Sequence, residues 1–368
     1  MEAIAAFSNH EKGKDMKMKR LRHLSIPLTA LMAIAFLTAC GNVPAADPGV
    51  SSVSTPAITA NDAAIPETTP TPSASAEEKS ADSSHGGSRG SQTTAPPYDW
   101  IDPTTTPVEG TLYALYDTPS RGKDKQGSFL IHLPASYNTD NTRKYPVIYW
   151  LHGGFGYQSE IAKALPYYLE AMQSGKMPEV ILVAPQALPS GWYANSKDGS
   201  RLVEDVIIND LIPYIDATYR TISDASGRGI EGMSMGGYGS LRLGLKHPDV
   251  FGAISAVGPS IRKTLAEEPA IRTEDTFFGD QDFYAATGPW GLAVSNNASI
   301  LAAQPDIRVL GGTMDDLEPV IVEFEGLLTS LKIQHEFAEA EGAGHEYTDI
   351  LDKLTLDPHA FWKTAFSN

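Results

Sequence analysis

Short apolar runs alternate with amphipathic stretches from about residue 99 to the end of the chain. The apolar runs are rich in Val, Ile and aromatic residues, which predicts β-strands. They cover residues 128–134, 145–153, 179–186, 228–234, 251–259, 306–312 and 334–342. Several are continuously apolar, as in strands covered on both faces. The alternation predicts an α/β fold, with a mostly parallel central sheet and helices on both faces.

Two of the amphipathic stretches have a clear helical period. In residues 201–220 the apolar positions form one broad face, and Pro213 is expected to bend that helix. Residues 317–332 predict a second helix, in which Pro319 is tolerated only because it falls in the first turn.

The first 98 residues have a different pattern. An uncharged apolar run at residues 24–39 follows a basic stretch at residues 12–22, and it is too short for a membrane span. The run ends in Leu-Thr-Ala-Cys40, which resembles the lipobox of bacterial lipoproteins, and Cys40 is the only cysteine of the chain. Residues 1–40 therefore predict a lipoprotein signal peptide, with Cys40 as the lipidated residue.

Residues 41–98 are rich in Ala, Ser, Thr and Pro and nearly lack large apolar side chains. Such a segment cannot bury enough surface to offset its ordering entropy, so it predicts a disordered tether between the lipid and a domain at residues 99–368. An acyl anchor would hold the protein on the outer side of a bacterial membrane. The formal net charge of -17 argues against nucleic acid as a partner. The oligomeric state is not indicated.

Ser234 lies in a Gly-x-Ser-x-Gly pattern within the segment EGMSMGGYG. Ser88 has the same spacing, but it lies in a Ser/Gly-rich stretch with neither a strand before it nor a helix after it. Ser234 instead follows a predicted strand and precedes a predicted helix that ends at His247. Because a strand, a sharp turn and a helix are the context that an exposed nucleophile requires, Ser234 is the predicted nucleophile.

A serine hydroxyl needs a base, and the base needs an orienting carboxylate. His345 lies in a glycine-bearing loop after the last predicted strand, and we predict it to be the base. Asp315 and Asp316 both follow the preceding strand and either one could be the acid. We favour Asp315 as the acid and Asp316 as the cap of the next helix.

Two backbone amides are expected to bind the oxyanion. Met235 follows the nucleophile, and Gly154 in the segment WLHGGFG is our choice for the second donor, with Phe155 as the runner-up. Phe155, Trp192 and Tyr193 are the predicted substrate contacts. The aromatic-rich stretch at residues 258–305 is either a cap that contacts the substrate or a surface insertion with its own small core.

At these residues the domain resembles the esterase D-like family of the α/β-hydrolase superfamily, a group with S-formylglutathione hydrolases, feruloyl and acetylxylan esterases and antigen 85 mycolyltransferases. The resemblance covers about residues 110 to 365 and rests on the segments YPVIYWLHGG, VEDVIINDLIPYIDATYRT, RGIEGMSMGGYGSLRLGLKHPDVFGAIS and GAGHEY. It implies a serine esterase acting on small-molecule or carbohydrate esters without a metal or organic cofactor. The family's Gly-Thr-x-Asp pattern matches residues 312–315 and favours Asp315.

The leading interpretation is thus a lipid-anchored, extracytoplasmic serine esterase with the triad Ser234, His345 and Asp315. One alternative is an acyltransferase of the antigen 85 type, which would pass the acyl group to a sugar or a lipid. Another is a binding lipoprotein that keeps the fold without catalysis.

Overall fold

A computed structural model of the chain describes residues 100–102 and 108–367. The predicted signal peptide, the lipidated Cys40 and the predicted tether lie outside the described residues. Within this part of the chain, none of the helices combines the length and the apolar character that a membrane crossing requires.

Eight strands form one sheet in the described residues. They are β1 (Leu112–Asp117), β2 (Gln126–His132), β3 (Val147–Leu151), β4 (Ile181–Pro185), β5 (Arg228–Met233), β6 (Ala253–Val257), β7 (Asp306–Gly312) and β8 (Glu336–Ala340). Their order across the sheet is β1-β2-β4-β3-β5-β6-β7-β8. Strand β2 is antiparallel to both of its neighbours, and all the other pairs are parallel. The predicted mostly parallel sheet is confirmed.

Burial explains why three of the strands stand out in the sequence. Every residue of β3, β4 and β6 is buried, which is why these strands read as continuous apolar runs. The two edge strands each have only one buried residue; β8 was predicted, whereas β1 was not. The sequence of β1, LYALYD, lacks the clear alternation of a half-buried strand.

Eleven α-helices connect or cover the strands in the described residues. They are α1 (Leu165–Gln173), α2 (Val203–Asp205), α3 (Ile212–Thr218), α4 (Met235–Lys246), α5 (Ala270–Phe277), α6 (Gln281–Thr287), α7 (Pro289–Ser295), α8 (Asn297–Ala303), α9 (Glu318–Ser330), α10 (Tyr347–Lys353) and α11 (Ala360–Ala365). The long helix predicted at residues 201–220 consists of α2, a π-helical stretch at Val206–Leu211, and α3. Pro213 lies in the first turn of α3, and Pro319 in that of α9.

The helices cover both faces of the sheet. Buried side chains of α3, α4 and α9 join one hydrophobic core, and buried side chains of α1, α10 and α11 join the other. In α4 every residue except Lys246 is buried. This helix therefore fixes the end of β5, the strand that leads to Ser234, near the middle of the sheet.

Candidate active site

Ser234 occupies a sharp turn between β5, which ends at Met233, and α4, which begins at Met235. Its φ of 60° and ψ of -115° are unusual for a residue with a side chain, and this strain is typical of a functional turn. The neighbouring glycines explain how the turn fits. A Cβ on Gly236 would lie 2.1 Å from the Leu151 carbonyl oxygen, and one on Gly232 would lie 2.6 Å from the Gly236 backbone.

His345 and Asp315 meet Ser234 at the carboxyl edge of the sheet. The Nε2 atom of His345 lies 2.9 Å from Ser234 Oγ, and its Nδ1 atom lies 2.6 Å from Asp315 Oδ2. An ionised carboxylate only accepts hydrogen bonds, so Nδ1–H donates to Asp315 and Nε2 is left to accept from the serine hydroxyl. These three residues are called the candidate triad below.

Backbone hydrogen bonds join the loops of the acid and the histidine. The amide of Thr313 donates to the Ala340 carbonyl over 3.1 Å, and the amide of Met314 donates to the Ala343 carbonyl over 2.9 Å. Glycine at position 312 permits this approach, because a Cβ there would lie 2.3 Å from the Ala343 oxygen. The acid and the base are therefore held together by the main chain as well as by their side chains.

Asp315, whose side chain is only 1% exposed, uses both of its carboxylate oxygens. While Oδ2 accepts from His345, Oδ1 accepts from the amide of Leu317 over 2.9 Å. The predicted role of Asp316 as a helix cap is wrong. Asp316 is exposed, and α9 begins after Leu317 without a side-chain cap, since Asp315 already takes the first free amide.

The two predicted oxyanion donors lie side by side. A Cβ built on Gly154 would lie 3.9 Å from the Met235 Cβ, and Met235 is the first residue of α4, so its amide has no acceptor in a preceding helical turn. The Phe155 amide donates to the Pro189 carbonyl over 2.6 Å, whereas no acceptor among the described residues meets the Gly154 amide. This pattern favours Gly154 over Phe155 as the free donor.

The side chains of His152 and Glu160 brace the loop that carries Gly154. The His152 ring lies in the core, with Nδ1 2.8 Å from the Gly153 carbonyl and Nε2 2.5 Å from the Ala187 carbonyl. Burial lowers the pKa of His152. In addition, Glu160 accepts a hydrogen bond from the Gly153 amide over 3.0 Å. The loop is thus held in place independently of any substrate.

Trp192 and Tyr193 do not line an open surface, and the structure corrects their predicted role as substrate contacts. Trp192 is 2% exposed and Tyr193 is fully buried. The indole Nε1 of Trp192 donates to the Arg272 carbonyl over 2.6 Å, and the Tyr193 hydroxyl donates to the His152 carbonyl over 2.8 Å. Both rings are therefore core residues beneath the site. The partly exposed Phe155 remains a candidate substrate contact.

The stretch at residues 258–305 forms α5 to α8, and most of its aromatic rings pack inward. Phe277 is buried and lies 4.9 Å, centroid to centroid, from Tyr284, in an edge-to-face contact. These buried rings join the main hydrophobic core that also contains α4, so the segment is neither an insertion with a separate core nor a cap that contacts substrate through these aromatics. The segment still reaches the site, because the guanidinium of Arg272 lies 5.5 Å from the centre of the Phe155 ring.

Two polar residues were not predicted, namely Ser260, which contacts Ser234, and Glu268, which contacts Ser260. The amide of Ser260 donates to the Ser234 carbonyl over 3.0 Å, and its hydroxyl lies 3.2 Å from Glu268 Oε1. Burial raises the pKa of Glu268. Both residues belong to the stretch in which the sequence offers no recognisable motif, so no signal in it could have identified them.

The arrangement suits nucleophilic catalysis. A buried carboxylate holds the imidazole in one tautomer. The serine, which is hydrogen-bonded to that imidazole, can therefore be deprotonated as it attacks a carbonyl carbon. Within the described ranges, no group of three or more His, Cys, Asp or Glu side chains is placed to hold a metal ion.

A family model described as "Putative esterase" matches residues 122–351, which include the whole candidate triad. The chain belongs to this esterase family. It is 35% identical over 252 residues to Esterase Rv1288 of Mycobacterium tuberculosis, a match that covers 61% of this chain and 54% of that protein. The chain thus spans about half the length of the curated relatives that it matches.

Solved structures of other esterases and serine hydrolases share the fold of this family member. A ferulic acid esterase superposes with a TM-score of 0.58 at 20% identity, covering 70% of this chain and 99% of the other. FphF, a fluorophosphonate-binding serine hydrolase of Staphylococcus aureus, superposes with a TM-score of 0.54 at 19% identity, covering 69% and 95%. These similarities confirm the α/β-hydrolase fold that the sequence predicted.

Proposed function

We propose that this esterase-family protein is a serine carboxylic-ester hydrolase that works through a covalent acyl-enzyme. The observation that supports it best is the continuous hydrogen-bonded chain from Ser234 Oγ to His345 and on to Asp315, over 2.9 Å and 2.6 Å. Membership of the esterase family supports the same reaction class.

In the acylation step, Ser234 Oγ attacks the carbonyl carbon of the ester while its proton passes to His345 Nε2. Asp315 stabilises the imidazolium that forms and does not itself take the proton. When the tetrahedral intermediate collapses, the C–O bond to the alcohol breaks and His345 returns the proton to the leaving alkoxide. The acyl group is then bonded to Ser234.

The amides of Met235 and Gly154 bind the negative charge on the carbonyl oxygen of the intermediate. Met235 begins a helix of twelve residues, so the partial positive charge of the helix N-terminus adds to the hydrogen bond. Loss of one such donor typically costs about 3 to 4 kcal/mol at the transition state. Because His152 and Glu160 already hold the Gly154 loop in place, binding the oxyanion does not require the loop to become ordered.

In the deacylation step, His345 removes a proton from water, and the resulting hydroxide attacks the acyl carbon. The bond to Ser234 Oγ breaks, and the serine recovers its proton from the imidazolium. The products are a carboxylic acid and a regenerated hydroxyl. Every proton removed is returned, so no external acid, base or redox partner is consumed.

We propose esters of small acids, including feruloyl and acetyl esters of carbohydrates, as the substrate class. The similarity to a ferulic acid esterase supports testing this class first. Met314, which precedes Asp315, is 73% exposed, and Phe155, which follows Gly154, is partly exposed. Two apolar side chains of this kind fit an aromatic or aliphatic acyl group better than a charged one.

We propose further that the protein is anchored through Cys40 outside the cytoplasm, as the lipobox-like segment suggests. The tether at residues 41–98 would then separate the hydrolase domain from the membrane surface. An anchored enzyme would act on polymers or lipids close to the envelope.

The decisive experiment is labelling of the full-length chain with a fluorophosphonate probe, together with hydrolysis of nitrophenyl esters of increasing acyl length. Ser234→Ala should abolish both. Ser88→Ala is the matched control, because Ser88 has the same Gly-x-Ser-x-Gly spacing, and it should change neither. Labelling that persists in Ser234→Ala would refute the assignment. Products of acyl transfer to an added acceptor alcohol, formed faster than the free acid, would show a transferase instead.

A further inference from the structure

Glu231 is a charged residue in the centre of the sheet, buried on strand β5 three residues before Ser234. Its carboxylate accepts four hydrogen bonds. The hydroxyls of Tyr168 and Tyr347 donate to Oε1 over 2.6 Å and 2.8 Å, and Ser255 Oγ and Arg308 Nη2 donate to Oε2 over 2.6 Å and 3.0 Å. An ionised carboxylate offers about four acceptor positions, so this one is fully satisfied.

Two of the four donors, Arg308 and Tyr347, lie on elements that adjoin a triad residue. Glu231 lies on the strand that leads to Ser234, and Arg308 lies on β7, the strand that leads to Asp315. Tyr347 is the first residue of α10 and follows His345 by only two positions. A single buried carboxylate thus contacts the supports of all three triad residues.

Stability alone is a poor explanation for this network. The side chains of Glu231 and Arg308 are each 2% exposed, and a buried ion pair often stabilises a fold no better than apolar residues of the same volume would. What such a pair can provide is one fixed arrangement of the groups that it joins. Hydrogen bonds of defined direction on a shared carboxylate determine where the start of α10 lies relative to β5.

We propose that Glu231 and Tyr347 are positioning residues, which hold the His345 loop at the distance from Ser234 that proton transfer requires. Neither side chain touches the reacting atoms. The Tyr347 ring is also packed edge to face against Trp150, with centroids 5.9 Å apart. Packing therefore holds the ring, and the hydrogen bond from its hydroxyl to Glu231 fixes the exact position of the ring. This inference rests on the proposed function.

The test compares Tyr347→Phe with Tyr168→Phe. Each change removes one hydroxyl that donates a hydrogen bond to the same oxygen, Glu231 Oε1, and both rings are buried. They differ in that Tyr347 adjoins His345, whereas Tyr168 lies on α1, which carries no triad residue. A purely structural network would lose similar stability in both variants and would leave kcat unchanged in both when it is measured well below their melting temperatures.

Tyr347→Phe is expected to lower kcat about tenfold with KM within about twofold of wild type, because displacements of 1 Å or less already cost up to about a hundredfold. Labelling by the fluorophosphonate should slow to a similar extent. Tyr168→Phe should keep kcat within about twofold of wild type, although its melting temperature falls. If both variants lose kcat equally, or if Tyr347→Phe keeps the wild-type kcat, the inference is overturned.

A second variant covers the case in which Tyr347→Phe does not fold. Glu231→Asp keeps the charge for Arg308 but withdraws the carboxylate by one methylene, and it should also lower kcat with KM preserved. A wild-type kcat in that variant would overturn the inference. Failure of the proposed function would look different, because the wild-type protein itself would then neither label nor hydrolyse esters, and the inference would fall with it.

Discussion

Replacing Asp315 by Asn changes one atom in the candidate triad and is expected to lower kcat about 10⁴-fold, which corresponds to about 5.5 kcal/mol. The size of the effect follows from the two hydrogen bonds that the Asp315 carboxylate accepts. Oδ1 accepts from the Leu317 amide, so the asparagine oxygen stays there and its NH₂ faces His345 Nδ1. The imidazole must then carry its proton on Nε2, where it cannot accept from Ser234.

The active tautomer of His345 is regained only if the side-chain amide of the asparagine flips, so that its oxygen faces His345 Nδ1. Its NH₂ then meets the Leu317 amide, and a buried donor without an acceptor costs about 1 to 3 kcal/mol, or about 5- to 150-fold in rate. The remaining loss comes from the missing negative charge beside the imidazolium. Folding should be nearly unaffected, because in the favoured orientation asparagine keeps both hydrogen bonds and the same shape.

The assay is steady-state hydrolysis of a nitrophenyl ester at pH 7.5, with a thermal melt of each variant. Asp316→Asn is the matched control, since Asp316 is the exposed neighbour without a capping role, and its kcat should stay within about twofold of wild type. A loss of less than about tenfold in Asp315→Asn would refute the reasoning, because it would show that Asp315 does not fix the tautomer of His345.

Three further outcomes are expected. Trp192→Ala should lower the free energy of unfolding by about 3 to 5 kcal/mol in urea titrations without changing the preference among acyl lengths, because the ring is buried. Burial raises the pKa of Glu204, but a hydrogen bond from His247 and the cations of α4 outweigh it and hold that pKa below its usual range. Its contribution to stability is therefore present above the ordinary carboxyl pKa and is lost as the pH falls below it, so Glu204→Gln should lose less stability than wild type between pH 7 and pH 3. Cys40→Ser should move the protein from the membrane fraction to the soluble fraction, and retention in the membrane would exclude the lipid anchor.

The sequence was most informative where local chemistry determines local structure. Ser234 could be placed in its turn because two glycines, an apolar strand and a helix surround it within a few residues. His345 and Asp315 followed from the order of the strands, since the carboxyl ends of parallel strands meet at one edge of a sheet. The structure brings these three side chains together as that reasoning required.

Other features depended on long-range packing. Trp192 and Tyr193 follow a strand near the site, and only the burial of their rings under the Gly154 loop shows that they face the core. Asp316 could not be separated from Asp315 as a helix cap without knowing which oxygen meets the Leu317 amide. Glu231 did carry a signal, because a charged residue inside an apolar central strand must find partners, but the partners come from four distant segments.

The close packing around Ser234 limits how this protein could be re-engineered. No side chain fits at Gly232 or Gly236 without moving backbone atoms of a neighbouring strand or loop. Libraries aimed at new acyl groups should therefore leave the turn untouched and vary less buried neighbours of the site residues, such as Met314 and Phe155. Substitutions there change the shape offered to an acyl group, while the strained backbone at Ser234 keeps its geometry.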